Sequence, residues 1–325
     1  MTRETVFLTG ATGFVGRHVL DALIERGYRV HALVRDGITQ LPRECEPVRG
    51  DLTSPGALVP LLRGSRFVVH TAAVYSFAPR DRRLVHTVNV RGTTGLLEAA
   101  RIAGVERAVV TSSSATAGPA RGGRPATEDD WAEGSHGGST YHASKLLQER
   151  AALAARIPVT TVLPTAPIGR GDARPTPTGR MVVDVIRGRI PAFLGGGMNV
   201  VAVTDVARAH VLALERGRPR ERYIAGGVDL TLAELFQLIA RAAGRRAPRM
   251  RVPYPVAFAV GALDTLRSRI TGGEPAVPLE GVRMGRLSMY ASSAKAMREL
   301  GYEPHPIEPA IDDAVRWYRD HGYAA

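Results

Sequence analysis

The sequence predicts an α/β protein in which a doubly wound parallel sheet, over residues 1–165, is followed by a smaller and mostly helical lobe over 166–325. Three observations carry this reading. An apolar run over 5–8 leads into Thr9-Gly10-Ala11-Thr12-Gly13-Phe14-Val15-Gly16 and then into a helical pattern that Gly27 closes, so strand, glycine loop and helix succeed one another. Strand-like and helical stretches then alternate to about residue 163, the rhythm of parallel strands covered by helices on both faces. Beyond Pro164 the rhythm breaks, and proline and glycine crowd 164–167, 174–179 and 195–197.

The first strand covers 5–8, where Val6 and Phe7 suit a pleated surface, and the first helix runs to Glu25. Residues 29–34 form the second strand, and a third precedes Asp51. Strands at 67–70 and 108–111 follow, each preceded by a helical stretch, near 55–62 and 82–103. A helix over about 140–155 leads into a strand at 159–163. In the smaller lobe helical patterns return near 182–187, 204–215, 232–243 and 309–318, while 200–203 and 223–225 look like strands returning to the sheet, so the two regions interleave. Residues 253–266 are apolar nearly all round. Such a helix packs in the smaller lobe or against a second subunit, or forms a lid over a lipid or polyketide-like substrate.

Composition narrows the function. A chain of 325 residues can bury a sizeable core. Its longest apolar stretch, 255–263, is too short to span a bilayer, and Met1 leads almost directly into a strand, so no membrane span and a cytoplasmic location are expected. Cys45 is the only cysteine, which excludes an intrachain disulfide and a cysteine-based metal cluster and marks it as a buried, inert thiol. The net charge of +12 comes from arginines scattered along the chain, without a basic tail or aromatic-interleaved patch, so no nucleic-acid partner is expected and an anionic small-molecule ligand is favoured. No His, Asp and Glu set has metal-ligand spacing, and neither His136 nor His142 is assigned a role.

Gly10, Gly13 and Gly16 follow a strand and open a helix, the context in which such spacing holds a dinucleotide. They allow a tight turn, close approach of backbone N–H groups to a pyrophosphate, and tight helix-on-strand packing. A Rossmann-type sheet is therefore expected, with Thr9, Gly10, Thr12, Gly13, Phe14, Val15 and Gly16 along the cofactor. At the end of the second strand Val34 stands where an acid would bind the ribose of NAD, and Arg35 follows it. Arg35 can hold a 2′-phosphate, so NADP is favoured over NAD. Asp51 and Leu52 fall beside the adenine, and Thr71, Ala72 and Ala73 on the nicotinamide side.

Lys145 is one of only two lysines among 43 basic residues, and it closes the unit Tyr141-His142-Ala143-Ser144-Lys145. Four residues apart on a helix, phenol and ammonium share a face, and the positive charge is expected to lower the phenol's pKa. Tyr141 then exchanges a proton with a substrate oxygen that Ser113, from the run Thr111-Ser112-Ser113-Ser114, holds.

With these motifs in order, the chain resembles the extended short-chain dehydrogenase/reductases of the NAD-dependent epimerase/dehydratase family, a class that includes dihydroflavonol-reductase-like enzymes and sugar-nucleotide epimerases. The resemblance covers nearly the whole length and rests on Thr9-Gly10-x-x-Gly13-x-x-Gly16, Asp51-Leu52, Asn89-Val90-x-Gly92-Thr93, the serine run, Tyr141-x-x-x-Lys145, Pro164 and Asp205-Val206-Ala207. It implies that Ser113, with Ser114 second, is the catalytic serine, that Asn89 and Thr111 steady the cofactor region, that Pro164 borders the nicotinamide, and that the protein is a homodimer. Ser114, Thr165 and Arg180 are candidate contacts to a small-molecule substrate. A narrower resemblance, at 175–180 and 212–218, is to hopanoid-associated sugar epimerases. Sugar-nucleotide members carry an arginine before Asp-Val-Ala that binds the diphosphate, whereas this chain reads Asn199-Val200-Val201-Ala202-Val203-Thr204-Asp205. A reductase of a ketone or aldehyde is therefore preferred. The alternatives are an epimerase using Arg180 as a substitute clamp and a non-catalytic dinucleotide-binding protein.

Overall fold

The computed structural model describes residues 4–35, 41–76, 79–119, 122–133, 140–271, 279–285 and 287–323. His136 lies outside them. The first half alternates strand and helix: β1 (Thr5–Thr9), α1 (Phe14–Glu25), β2 (Arg29–Val34), β3 (Cys45–Arg49), α2 (Pro55–Leu62) and β4 (Phe67–His70). Next come α3 (Arg82–His86), a wide π turn (Thr87–Gly92), α4 (Thr93–Ile102), β5 (Arg107–Thr111), α5 (Thr140–Leu153) and β6 (Val159–Pro164). The segment 82–103, expected as one helix, is interrupted by that π turn, which turns Asn89 fully inward.

The second half holds β7 (Ala166–Ile168), α6 (Pro177–Ile186), β8 (Ala192–Phe193), β9 (Gly197–Ala202), α7 (Val203–Arg216), β10 (Arg222–Ala225), β11 (Val228–Thr231) and α8 (Leu232–Ala242). It closes with β12 (Met250–Arg251), α9 (Tyr254–Thr271), α10 (Leu279–Met284), β13 (Ser288–Met289), α11 (Ala294–Leu300) and α12 (Glu308–Asp320). Helix α6 begins earlier than the apolar pattern at 182 suggests. Thr176 caps it by accepting the Gly179 N–H at 3.2 Å, and Pro177 opens its first turn, where a missing N–H costs nothing.

The strands form a seven-stranded parallel sheet in the order β10-β6-β5-β4-β1-β2-β3, the doubly wound Rossmann-like arrangement. The order reverses between β1 and β4, so their carboxyl ends flank the crevice in which such sheets bind ligands. Residues 222–225 lie in this sheet as β10, beside β6. Residues 200–203, expected beside them, do not: β9 is the middle of a second small sheet with β7, β11 and β13, and Val203 already starts α7. A strand buried throughout, as Val200, Val201 and Ala202 are, carries no periodicity to say which sheet it joins.

One apolar core lies between the sheet and α1 and α7, a second under α2 and α4, and a third joins α6, α8 and α12. Cys45 is buried on β3, and burial pushes its thiol up to about 11, consistent with an inert role. Among the described residues no helix is long and apolar enough to cross a membrane.

Candidate active site

The crevice is built first by glycine. Gly10 has φ of +79°, and a Cβ there would stand 2.6 Å from the Ala72 nitrogen and the Thr71 hydroxyl, so only glycine lets the loop lie against the end of β4. The loop is tied there by Thr71 Oγ1, which donates to the Thr9 carbonyl at 2.8 Å. A Cβ on Gly16 would collide with the Gly10 carbonyl, which seats α1 against the loop. Gly13 caps α1 without any side-chain hydrogen bond, leaving first-turn N–H groups for an anion. Thr12 is exposed, and Phe14 and Val15 are half-buried along the same rim. These features fit a dinucleotide pyrophosphate.

At the carboxyl end of β2 Val34 is buried and Arg35, immediately after it, is exposed. Asp51 accepts from the Thr53 N–H and hydroxyl at 2.7 and 2.8 Å. Those bonds, with a smaller contribution from the Arg35 charge, hold its carboxyl below the usual carboxylate range. Leu52 is buried beneath the neighbouring π turn, where a Cβ on Gly92 would meet it.

Helix α5 brings the reactive side chains together by turning a polar face inward: Tyr141, Ser144, Lys145, Gln148 and Glu149 are all buried. Each has partners. Glu149 accepts from Ser112, Thr161 and Arg222 at 2.9, 2.9 and 3.0 Å, and the buried Arg222 guanidinium also sits 3.7 Å from the centroid of Trp131. Asn89 fixes the loop after β4, exchanging bonds with the Val74 N–H and carbonyl and donating to Ser144 at 3.1 Å.

Lys145 Nζ donates to the Thr111 carbonyl at 2.7 Å and to Gln148 Oε1 at 2.5 Å. Gln148 passes the contact on, donating to Thr93 Oγ1, whose single proton goes to the Asn89 carbonyl. His70 must therefore donate from Nε2 to Thr93 at 2.8 Å and accept at Nδ1 from Thr9 at 2.6 Å, so a satisfied buried chain runs from Lys145 to the first residue of the glycine loop. Burial, with a smaller push from the Lys145 charge, depresses His70 to about 3. His210 is held similarly: Nδ1 donates to the Val206 carbonyl and Nε2 accepts from Thr111, and burial lowers it to about 4.

Burial, opposed by the charge of Glu149, lowers Lys145 to about 7, and burial alone raises the phenol of Tyr141, whose ring lies 4.2 Å from that of Tyr75. The expected lowering of the phenol is thus not what this arrangement holds, because the ammonium is turned to Thr111 and Gln148. Burial without a neighbouring charge leaves the phenol protonated and a weaker acid than a free tyrosine.

The serine run divides by direction. Ser112 points into the core to Glu149, while Ser113 and Ser114 are half-buried at the strand end, with Ser113 Oγ accepting from the Ala115 N–H at 3.2 Å. Pro164 is buried at the end of β6, and the next residue carries a notable atom: Thr165 Oγ1 is buried with no hydrogen-bond partner among the described residues. Thr71 and Ala72 are half-buried and Ala73 exposed across the crevice, whereas Arg180 is exposed on α6 and no described hydrogen bond joins it to Ser113 or Tyr141. Sequence reasoning missed Tyr75, Ser144, Gln148 and Glu149. For the last three the signal was available, since they lie three or four residues from Tyr141 or Lys145 on one helical face.

Residues 6–226, two-thirds of the chain, match the model of the NAD dependent epimerase/dehydratase family. The chain belongs to this family of enzymes. Relatives within this family of extended short-chain dehydrogenase/reductases span both chemistries. The chain is 37% identical over 334 residues to a putative dihydroflavonol 4-reductase of Synechocystis, with 98% of this chain and 96% of that one covered. It is 32% identical over 332 residues to sterol demethylase protein B of Methylococcus capsulatus, covering 98% and 99%. The solved structure of PA4631, a nucleoside-diphosphate-sugar epimerase from Pseudomonas aeruginosa, superposes with a TM-score of 0.80 at 26% identity over 98% of this chain and 99% of that one.

Proposed function

We propose that the protein is an NADP-dependent reductase interconverting a ketone or aldehyde and an alcohol on a largely apolar small molecule. The observation that carries this reading is the interior at Asn199. In the stretch before Asp205, where sugar-nucleotide members of the family carry an arginine for the diphosphate, no arginine stands, and Asn199 is 2% exposed and spent on structure, donating to Asp229 and the Ala291 carbonyl and accepting the Gly227 N–H. Val200, Val201, Ala202 and Val203 beside it are buried and uncharged. The names of the Synechocystis and Methylococcus relatives, a dihydroflavonol reductase and a sterol demethylase protein, point to the same apolar chemistry.

The bound nicotinamide would supply or accept hydride. Ser113 would hold the substrate oxygen, and Tyr141, protonated at neutral pH, would donate to that oxygen as negative charge develops on it. Lys145 would exchange Gln148 for the cofactor ribose, which brings its charge toward the phenol. Thr165, with its unspent hydroxyl, would contact the substrate. The second reading, an NAD-dependent sugar epimerase, draws on the likeness to PA4631 and on exposed Arg180.

The cofactor half is tested by titrating NADP and NAD against the wild type and Arg35→Ala. NADP affinity should fall at least about tenfold while NAD affinity barely moves, since the lost contact is to the extra phosphate alone. Equal losses for both would defeat the assignment.

A further inference from the structure

Helix α9 inverts the usual rule for a surface helix. Its inner side holds Ala257, Phe258 and the buried Gly261, but the opposite side presents Val256, Val260, Leu263 and Leu266 to solvent at 54, 50, 68 and 54% exposure, with Ala259 between them. The stripe runs roughly 15 Å along the helix. It has a cationic approach: Arg245, Arg246, Arg249 and Arg251 are all exposed just before it, beside Met250 at 59% exposure. From Leu235 to Leu266 the sequence contains five arginines and one acidic residue, Asp264, whose carboxylate lies 3.9 Å from Arg267.

We propose that this face docks on an anionic lipid bilayer, with α9 lying in the interface plane, its valines and leucines among the acyl chains and the arginines on headgroup phosphates. Apolar side chains beside a one-signed basic loop match a surface that is anionic outside and apolar beneath. They match a second copy of this chain poorly, because a two-fold face would oppose arginine to arginine. A second copy also has another apolar face available at exposed Leu84 and Leu147, on α3 and α5, which pack on one another. The proposal goes beyond the reductase reading and does not rest on it, since docking requires neither cofactor nor turnover. It gives the 253–266 segment a role distinct from core packing or a lid.

The test is co-sedimentation of the full chain with vesicles of phosphatidylcholine alone and of phosphatidylcholine mixed with phosphatidylglycerol, at low and high salt. Wild type should bind the mixed vesicles at low salt, and Leu263→Glu should weaken that binding by about tenfold or more while its circular dichroism spectrum is unchanged. Leu263→Ser, which adds no charge and leaves the inner face alone, repeats the test should the glutamate variant fold poorly, and Arg249→Glu should reduce both the binding and its salt dependence. Absence of binding, equal binding by wild type and the Leu263 variants, or a wild-type dimer that Leu263→Ser splits would each overturn the proposal.

Discussion

Helices α5 and α9 both break the amphipathic rule, in opposite senses. Helix α5 buries a polar face, and its lysine, glutamate and serine are answered from within the chain: Lys145 by Thr111 and Gln148, Glu149 by Ser112, Thr161 and Arg222, Ser144 by Asn89. Helix α9 exposes an apolar face that nothing in the described chain covers. The difference teaches how to read such inversions. Buried polar groups cost free energy unless satisfied, so a complete internal network marks a site built to hold reacting groups in place. Exposed apolar side chains cost little to the folded chain but lose nothing by leaving water, so they mark a surface whose partner lies outside it.

The comparison breaks most sharply at Tyr141. Tyr141→Phe removes the proposed proton donor but keeps the ring that lies against Tyr75, so turnover should fall by about a hundred- to ten-thousand-fold with cofactor affinity nearly unchanged. Steady-state kinetics beside a binding titration separates the two, and substantial residual turnover would assign the proton to another group. Next is Glu149→Ala, which strands the buried Arg222 and should cost about 3–5 kcal/mol in a denaturant titration. On α9, by contrast, Leu263→Ser should stay within about 0.5 kcal/mol of wild type. Similar losses at both positions would show that α9 is held by contacts like those of α5.

A subtler effect concerns acid. His70 titrates at about 3 when folded and near 6.5 when unfolded, so the unfolded chain binds the extra proton between those values. The stability held by neutral His70 is complete above pH 6.5 and is lost as pH falls toward 3. His70→Asn should therefore flatten the melting temperature across pH 4–6.5 relative to wild type, and an unchanged slope would show that the imidazole titrates normally.

Much of the cofactor side was legible in the sequence, because glycine leaves a local signature: Gly10 and Gly16 are required where they stand by contacts with Thr71 and with each other. The main strands were legible for a similar reason, since β-branched runs between turn residues announce themselves. The place of β9 was not. Residues 200–203 carry no periodicity, being buried on both faces, and the choice of sheet for β9 depends on long-range pairing with β7, β11 and β13. Nor could the sequence show that Lys145 rests against Gln148, which makes burial, and not a neighbouring charge, the force acting on Tyr141.

The central claim is a net reduction carried out at Tyr141. Its most direct test is incubation of the purified protein with deuterium-labelled NADPH and, in parallel, a panel of apolar ketones and a panel of nucleotide sugars, following cofactor oxidation and the label and configuration of the product. The reading predicts stoichiometric NADPH consumption with one deuterium delivered to the new carbinol carbon. Tightly retained NAD, no net consumption of NADPH and inversion of a sugar carbon would contradict it and establish the epimerase instead.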